Sequence, residues 1–207
     1  MPEFAHLVSG YKRFRQGAYL EQKSKYDLLS SDGQMPPVMI ISCCDSRVDP
    51  ATIFDTVPGQ VFALRNVANL VPPYQPDSHL HGASAAIEFG VTGLNVQHIV
   101  ILGHGQCGGI KAALQNHGAK EKSESFVHNW MSIIDDAVEH VCNSTSDDKQ
   151  LALELEAIKI SLHNLRTFPY IKEREDSGQL KLHGTFFAIS DGILHVLDEE
   201  TGLFSPA

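Results

Sequence analysis

The sequence predicts an α/β fold: a single domain, residues 1–207, with a mostly parallel central β-sheet flanked by helices. Short apolar runs that are typical of buried strands alternate with longer segments of helical periodicity. The 207 residues are 43% hydrophobic and 20% charged, which suits one globular core, and no linker, repeat or low-complexity tract divides them. The alternation implies parallel strands joined by right-handed crossovers.

The first segment is predicted to be helical. Residues 3–16 carry an apolar stripe at helical spacing, made of Phe4, Leu7, Val8, Tyr11 and Phe14. This stripe could pack on its own domain or on another subunit. Residues 18–32 are polar and helix-prone, and Gly33 and the Pro36–Pro37 pair end the segment.

The remaining elements follow in order along the chain. The three predicted parallel strands are Val38–Ser42, Val61–Arg65 and Ile99–Leu102. The predicted helices are a short one from Pro50 capped by Asp49, then residues 80–94, Ile110–Gln115, 124–142 and 148–167. His183–Ile189 and Ile193–Leu197 flank Asp191–Gly192 and are predicted to form a hairpin.

Charge and hydropathy exclude several classes of partner. The net charge of -9 disfavours binding to nucleic acid or to an anionic membrane. The sequence has no signal-like segment after Met1 and no apolar run near the ~18 residues of a membrane span, so we expect a cytoplasmic protein. In a reducing compartment the four cysteines are better explained by metal binding than by disulfides.

Chemically active side chains follow two of the predicted strands. Cys43, Asp45 and Arg47 come at alternate positions after the first, and His104 and Cys107 follow the third in an H-x-x-C spacing. Carboxyl ends of parallel strands meet at one sheet edge. Taken singly, these residues could belong to an ordinary core. Together, two thiols and an imidazole predict a three-ligand zinc site, with a fourth position left for water or an acidic side chain.

These motifs resemble those of the β-class carbonic anhydrases. Residues 43–47 match the family's C-x-D-x-R and residues 104–109 its H-x-x-C-G-G, with further matches in order at 58–59, 62, 65–69 and 85–88. The resemblance covers roughly residues 1–198. It implies a homodimer or higher homo-oligomer, in which the N-terminal helix packs on a neighbouring subunit.

The resemblance also implies a reaction, the reversible hydration of CO₂ to bicarbonate and a proton. One Zn²⁺ per chain would be held by Cys43, His104 and Cys107, and hydroxide on the metal would attack CO₂. The catalytic dyad would be Asp45 and Arg47, in which Arg47 keeps Asp45 ionised and in place. Substrate binding would fall to Gln34, nine residues before the first cysteine, to Phe62, nineteen after it, and to Phe89 and the backbone N–H of Gly108.

Two features depart from the family or stay open. Phe89 stands where plant-type relatives have tyrosine. The role of the tyrosine hydroxyl must therefore be filled by another group or is weaker in this chain. The proton shuttle could be His79, His81 or His98. Arg65 and Glu88 match positions that are structural partners in the family, for which an ordinary salt bridge suffices.

The subtype concerns the fourth zinc position, which Asp45 or water could fill. One subgroup closes its site with the aspartate, and it carries a tryptophan three residues before the first cysteine and a late-strand tyrosine. This chain has Ile40 and no tyrosine in residues 183–187. We therefore expect the plant-like, open type, with water on the metal at neutral pH and no cooperative inhibition by bicarbonate.

Two other functions would use the same zinc ligands. One is hydrolysis of carbonyl sulfide or carbon disulfide, which motif spacing does not separate from CO₂ hydration. The other is a zinc-stabilised scaffold without turnover. The intact Asp45–Arg47 pair argues against a scaffold, because a structural zinc site needs neither residue.

Overall fold

The computed structural model describes residues 3–77, 79–117 and 125–207. The described chain forms two compact units, divided after residue 35. The first unit contains α1 (Phe4–Gln16), α2 (Ala18–Glu21) and α3 (Lys23–Ser31), as the sequence predicts. The apolar stripe of α1 is exposed: Phe4 is 78% and Leu7 62% accessible to solvent. The predicted single domain and the packing of α1 on another subunit stay predictions.

The second unit is built on a mostly parallel sheet, as predicted. Its strands in the described residues are β1 (Val38–Cys43), β2 (Val61–Asn66), β3 (His98–His104), β4 (Lys181–Ala188), β5 (Ile193–Asp198) and β6 (Leu203–Pro206). They lie in the order β2-β1-β3-β4-β5-β6, and the first four are mutually parallel. The predicted hairpin is confirmed as β4–β5. The edge strand β6 was not predicted.

Helices fill the crossovers of this unit. They are α4 (Pro50–Ile53), α5 (Gly82–Glu88), α6 (Gly108–Gln115), α7 (Phe126–Met131), α8 (Asp135–Asn143), α9 (Lys149–Leu165) and α10 (Pro169–Asp176). The segment predicted as a helix over 80–94 continues beyond α5 as a wider π-turn, Phe89–Gly93. The helix predicted over 124–142 is two helices separated by a 3₁₀ turn, and residue 124 lies outside the described residues. The helix α10 was not predicted.

Close packing of one helix against the sheet fixes the carboxyl ends of the central strands. The long helix α9 packs across β3 and β4, where Gly103 and Gly184 leave room for Ile158. A Cβ atom on Gly103 would lie 2.6 Å from Ile158 Cδ1, so the close approach requires glycine there. The parallel register pairs Ser42 of β1 with Leu102 of β3, which brings the residues after both strands to one edge. Among the described residues, no helix is long and apolar enough to cross a membrane.

Candidate metal centre and active site

Three metal-binding side chains meet at the carboxyl edge of the sheet. Cys43 ends β1, His104 ends β3, and Cys107 occupies the N-cap position of α6. Their ligand atoms lie within 4.8 Å of one another, and none of the three residues is more than 4% exposed. The sequence prediction that these residues come together is borne out by this geometry.

The donor set fits zinc. The two sulfur atoms are 4.0 Å apart, close to the roughly 3.8 Å separation of two thiolates on a tetrahedral Zn²⁺ at about 2.3 Å. His104 Nδ1 donates to the carbonyl oxygen of Gly105 at 2.9 Å, which leaves Nε2 with a free lone pair. That Nε2 atom is buried and has no hydrogen-bond partner among the described residues. A buried nitrogen without a partner is costly, and a metal ion would satisfy it.

Neighbouring groups shift the pKa values of the two thiols in opposite directions, so that Cys43 ionises first. The hydrogen bond with the Cys107 thiol lowers the pKa of Cys43, and backbone N–H groups of Asp45 and Ala68 lower it further. The same sulfur pair, together with burial, raises the pKa of Cys107. A second thiolate 4.0 Å from the first is unfavourable unless a cation lies between them. The pair therefore favours a divalent cation.

A strained loop supplies one of those N–H groups. Ala68 and Asn69 both have left-handed backbone angles, with φ of 61° and 50°, and both are buried. Trp130 Nε1 donates to the carbonyl oxygen of Val67 at 2.8 Å, and Ser161 Oγ donates to the carbonyl oxygen of Asn69 at 3.2 Å. These side chains come from distant helices and hold the loop against Cys43.

The predicted dyad forms a two-point ion pair. Arg47 Nε donates to Asp45 Oδ1 at 2.9 Å, and Nη2 donates to Oδ2 at 2.8 Å. Arg47 Nη2 also donates to the carbonyl oxygen of Gln106 at 3.0 Å, which ties the dyad to the loop after β3. The guanidinium holds the pKa of Asp45 well below its usual range. Asp45 is therefore an ionised carboxylate fixed beside the metal ligands.

Arg65 has a larger role than the sequence suggested. Its Nε donates to the carbonyl oxygen of Cys43 at 3.0 Å, and Nη2 donates to that of Asp45 at 2.7 Å. Its ion pair is with Asp49, at 3.2 Å, and not with Glu88. Asp49 also caps α4, as predicted, by accepting from Thr52 N. Arg65 thus fixes the backbone turn that carries both the ligand and the dyad.

Sequence reasoning missed a buried carboxyl group behind the site. Glu154 Oε1 accepts from the backbone N–H of Cys107 at 2.8 Å and from Gln150 Nε2 at 3.0 Å. The residue is 4% exposed, and burial raises its pKa. The signal lay in α9, where Glu154 falls on the same face as the buried Ala157 and Ile158.

Comparison with known proteins assigns this site to a family. The family model described as "Carbonic anhydrase" matches residues 38–194. The chain is 35% identical to "Beta carbonic anhydrase 3" of Arabidopsis thaliana over 192 residues, which is 90% of this chain and 73% of that protein. The chain belongs to the β-class carbonic anhydrase family. The resemblance found in the sequence motifs is therefore confirmed.

Other relatives agree with the assignment. "Beta carbonic anhydrase 5, chloroplastic" of Arabidopsis thaliana is 36% identical over 91% of this chain, which spans 62% of that relative's length. The solved structure of the β-carbonic anhydrase CcaA superposes with a TM-score of 0.89 at 30% identity, over 98% of this chain and 91% of that one. A tetrameric β-carbonic anhydrase from Sordaria macrospora superposes with a TM-score of 0.79 at 26% identity, over 98% of both chains.

One chain does not bring all the predicted substrate-binding residues of a β-class enzyme to the metal ligands. Phe62 pairs with Met39 in the sheet, four residues before Cys43, so the two backbones are separated by about 13 Å along the strand direction. Phe89 packs on Phe62, with ring centroids 5.9 Å apart, and is 52% exposed. Gln34 belongs to the first unit, and its function stays a prediction.

Gly108 fits its predicted place. It is the first residue of α6, directly after the ligand Cys107. The neighbouring Gly109 is required by packing, because a Cβ atom there would lie 2.9 Å from Val67 Cγ1. The role of the Gly108 N–H in binding an anion stays a prediction.

The three candidate proton shuttles lie in different places. His98 begins β3, six residues before His104 and about 20 Å away along the strand, so a role as shuttle to the metal of its own chain is wrong. It instead shares a hydrogen bond of 3.0 Å with His183. His81 is paired with Asp77 at 2.7 Å, and the His79 ring lies 6.4 Å from that of His81. Either of these two remains a candidate.

Proposed function

We propose that the protein catalyses the reversible hydration of CO₂ to bicarbonate and a proton, with one zinc ion per chain held by Cys43, His104 and Cys107. The observation that carries this proposal is the ionised Asp45, locked by Arg47 beside three buried ligands of which the imidazole nitrogen Nε2 faces no other partner. Zinc held by these residues supplies a Lewis acid that lowers the pKa of water.

The Asp45–Arg47 dyad orients the reacting oxygen. An ionised carboxylate can only accept hydrogen bonds, so an oxygen beside Asp45 must direct its proton toward that carboxylate. Its lone pair is then free to point at the carbon of the substrate. Arg47 donates to both carboxylate oxygens of Asp45 from one side, which keeps the carboxylate from rotating. The open subtype, with water and not Asp45 as the fourth ligand at neutral pH, is supported by this locked geometry.

We also propose that the protein works as a homodimer or larger homo-oligomer. Phe62 lies too far along the sheet to contact CO₂ at the metal of its own chain, and Phe89, which packs on Phe62, is exposed and available to a second copy. The exposed stripe on α1 offers a further apolar surface. Sedimentation should therefore show at least a dimer, and an active monomer of 22.7 kDa would contradict the proposal. The cytoplasmic location stays a prediction.

The direct test is stopped-flow hydration of CO₂ with a pH indicator. Zinc-loaded protein should accelerate the reaction well above buffer, and protein stripped by a chelator should not until zinc is restored. Parallel assays with carbonyl sulfide and carbon disulfide should show little turnover. A zinc-loaded protein that is inactive on all three gases would support the scaffold function instead.

A further inference from the structure

A cavity of about 540 Å³ lies beside the loop after β3 and is lined in part by Glu154, which accepts from the N–H of Cys107. It is partly open to solvent and is lined by the start of α9, the loop after β3, the β4–β5 turn and β6. Its walls include the apolar side chains of Leu155, Phe186 and Phe204. The volume falls within the roughly 300–1,000 Å³ that is usual for small-molecule sites. Neither the CO₂ chemistry nor the predicted substrate pocket uses this space.

Three contacts connect the wall of this cavity to the metal centre. Glu154 accepts from the N–H of Cys107, Gly105 accepts from His104 Nδ1, and the Gln106 carbonyl accepts from Arg47. Gln106 has a left-handed backbone angle, with φ of 56°, so its loop has little freedom to adjust without moving these contacts. A molecule in the cavity would touch groups that position both ligands and dyad.

Three acidic residues contribute to the polar lining of the cavity, which also includes Gln106, Gln150, Ser190 and His195. Glu154, Asp148 and Asp191 line it, and none of its described lining residues is Lys or Arg. Glu154 uses only Oε1; its Oε2 has no hydrogen-bond partner among the described residues, although the side chain is 96% buried. Asp148 and Asp191 each use Oδ1 to cap a backbone N–H, and their second oxygens likewise accept no bond from the described residues. Asp148 and Asp191 are exposed, so among these three residues only Glu154 offers the cavity an unused carboxyl oxygen on a buried residue.

We propose that this cavity binds a small organic cation with an apolar body, such as a primary ammonium carrying one ring, and that Glu154 couples its occupancy to the metal ligand Cys107. The ammonium would donate to Glu154 Oε2, and the ring would pack between Phe186 and Phe204. Because Oε1 of the same carboxyl group holds the Cys107 N–H, fixing the carboxyl group also fixes the ligand.

Binding is tested with the full zinc-loaded chain and three probes of similar shape: benzylammonium, benzyl alcohol and benzoate. Calorimetry should show binding of benzylammonium, weaker binding of benzyl alcohol and none of benzoate. The double variant Asp148→Asn, Asp191→Asn keeps both backbone caps, because the amide oxygen still accepts. The double variant should bind benzylammonium roughly two- to tenfold more weakly, as expected for the loss of two partly exposed ion pairs. Its affinity for benzyl alcohol should be unchanged.

Coupling is measured by release of zinc to a chromophoric chelator. Saturating benzylammonium should slow zinc release at least about threefold, because a fixed Glu154 carboxyl group holds the Cys107 N–H and with it the ligand. Glu154→Gln should reduce this effect without removing the zinc. Equal affinity for the three probes, or full affinity in the double variant, would overturn the site; unchanged release with intact binding would overturn the coupling. Neither measurement depends on CO₂ turnover, so a failure here leaves the proposed activity standing.

Discussion

The two thiol ligands are held in opposite ways. Cys43 lies beside a partly exposed network of charges, in which Arg65 binds its carbonyl oxygen and Arg47 binds Asp45 two residues later. Cys107 is backed by a single buried carboxyl group, Glu154, that accepts its N–H. The exposed side carries the groups that meet substrate, and the buried side carries the support. Chemistry and ligand positioning are therefore divided between two faces of one metal centre.

The energetics of the two sides should differ accordingly. Ion pairs that reach solvent are screened, and single exposed pairs contribute about 0–1 kcal/mol. A buried N–H that loses its acceptor costs about 1–3 kcal/mol. Variants on the Cys43 side should therefore change catalysis more than stability, and variants on the Cys107 side should do the reverse.

The largest effect should come from the ligands themselves. Cys107→Ala removes one of three donors and should lose zinc and CO₂ hydration together, with Cys43→Ala behaving alike. The matched control is Cys44→Ala, whose side chain is exposed and outside the ligand group, and which should keep both. Metal analysis of the purified variants decides this. Full zinc content in Cys107→Ala would show that the ligand set is different.

The next largest effect separates catalysis from metal binding on the Cys43 side. Asp45→Asn keeps the three ligands but replaces a fixed carboxylate by an amide, so we expect roughly a 10–100-fold loss in the CO₂ hydration rate with zinc retained. Stopped-flow assays and metal analysis on one preparation give both quantities. Turnover near that of the wild type would mean that the dyad is only structural.

A smaller effect is expected behind Cys107. Glu154→Leu leaves the buried Cys107 N–H without an acceptor and should cost about 1–3 kcal/mol in the free energy of unfolding. Glu154→Gln retains an acceptor oxygen and should cost less. Urea denaturation of the zinc-loaded proteins compares them. Equal stability of the Leu variant and the wild type would remove the distinction between the two sides.

The smallest effect should follow from the outermost ion pair. Asp49→Asn keeps the cap on Thr52 N but loses the charge opposite Arg65, a pair at 3.2 Å that is partly exposed. We expect less than about 1 kcal/mol in unfolding free energy, and a hydration rate within a factor of two of the wild type. A loss as large as that of Asp45→Asn would place Asp49 in the catalytic machinery.

The parts of the fold that repeat a simple pattern could be predicted from the sequence. The strands β1, β2 and β3 are short apolar runs, and the polar residues that follow β1 and β3 mark the edge where the site forms. The zinc ligands were predictable because Cys43, His104 and Cys107 are each placed by the end of a strand and a short spacing.

Elements with weak patterns were not predicted. The helix α10 is dominated by charged residues and has little apolar stripe, and β6 is a four-residue edge strand. The segment predicted as one helix over 124–142 is interrupted by a 3₁₀ turn at Ser132–Ile134. This turn contains no proline or glycine that would have predicted the interruption.

Contacts between distant segments were also beyond sequence reasoning. Glu154 meets Cys107 across 47 residues and Trp130 meets Val67 across 63. Phe62 matches a family position in the sequence, but the sequence does not show where its side chain lies. Only the strand register shows that it pairs with Met39, four residues before Cys43. His98 seemed as suitable as His81 until β3 placed it at the opposite end of the sheet.

The fourth zinc position and the role of the dyad can be decided by a crystal structure of the zinc-loaded protein at neutral pH, with anomalous scattering measured at the zinc edge. We expect one zinc per chain bound by Cys43, His104 and Cys107, with Asp45 still held at both oxygens by Arg47. An Asp45 oxygen at about 2.0–2.2 Å from the metal would contradict it, because the dyad would then be a ligand and not an orienting group.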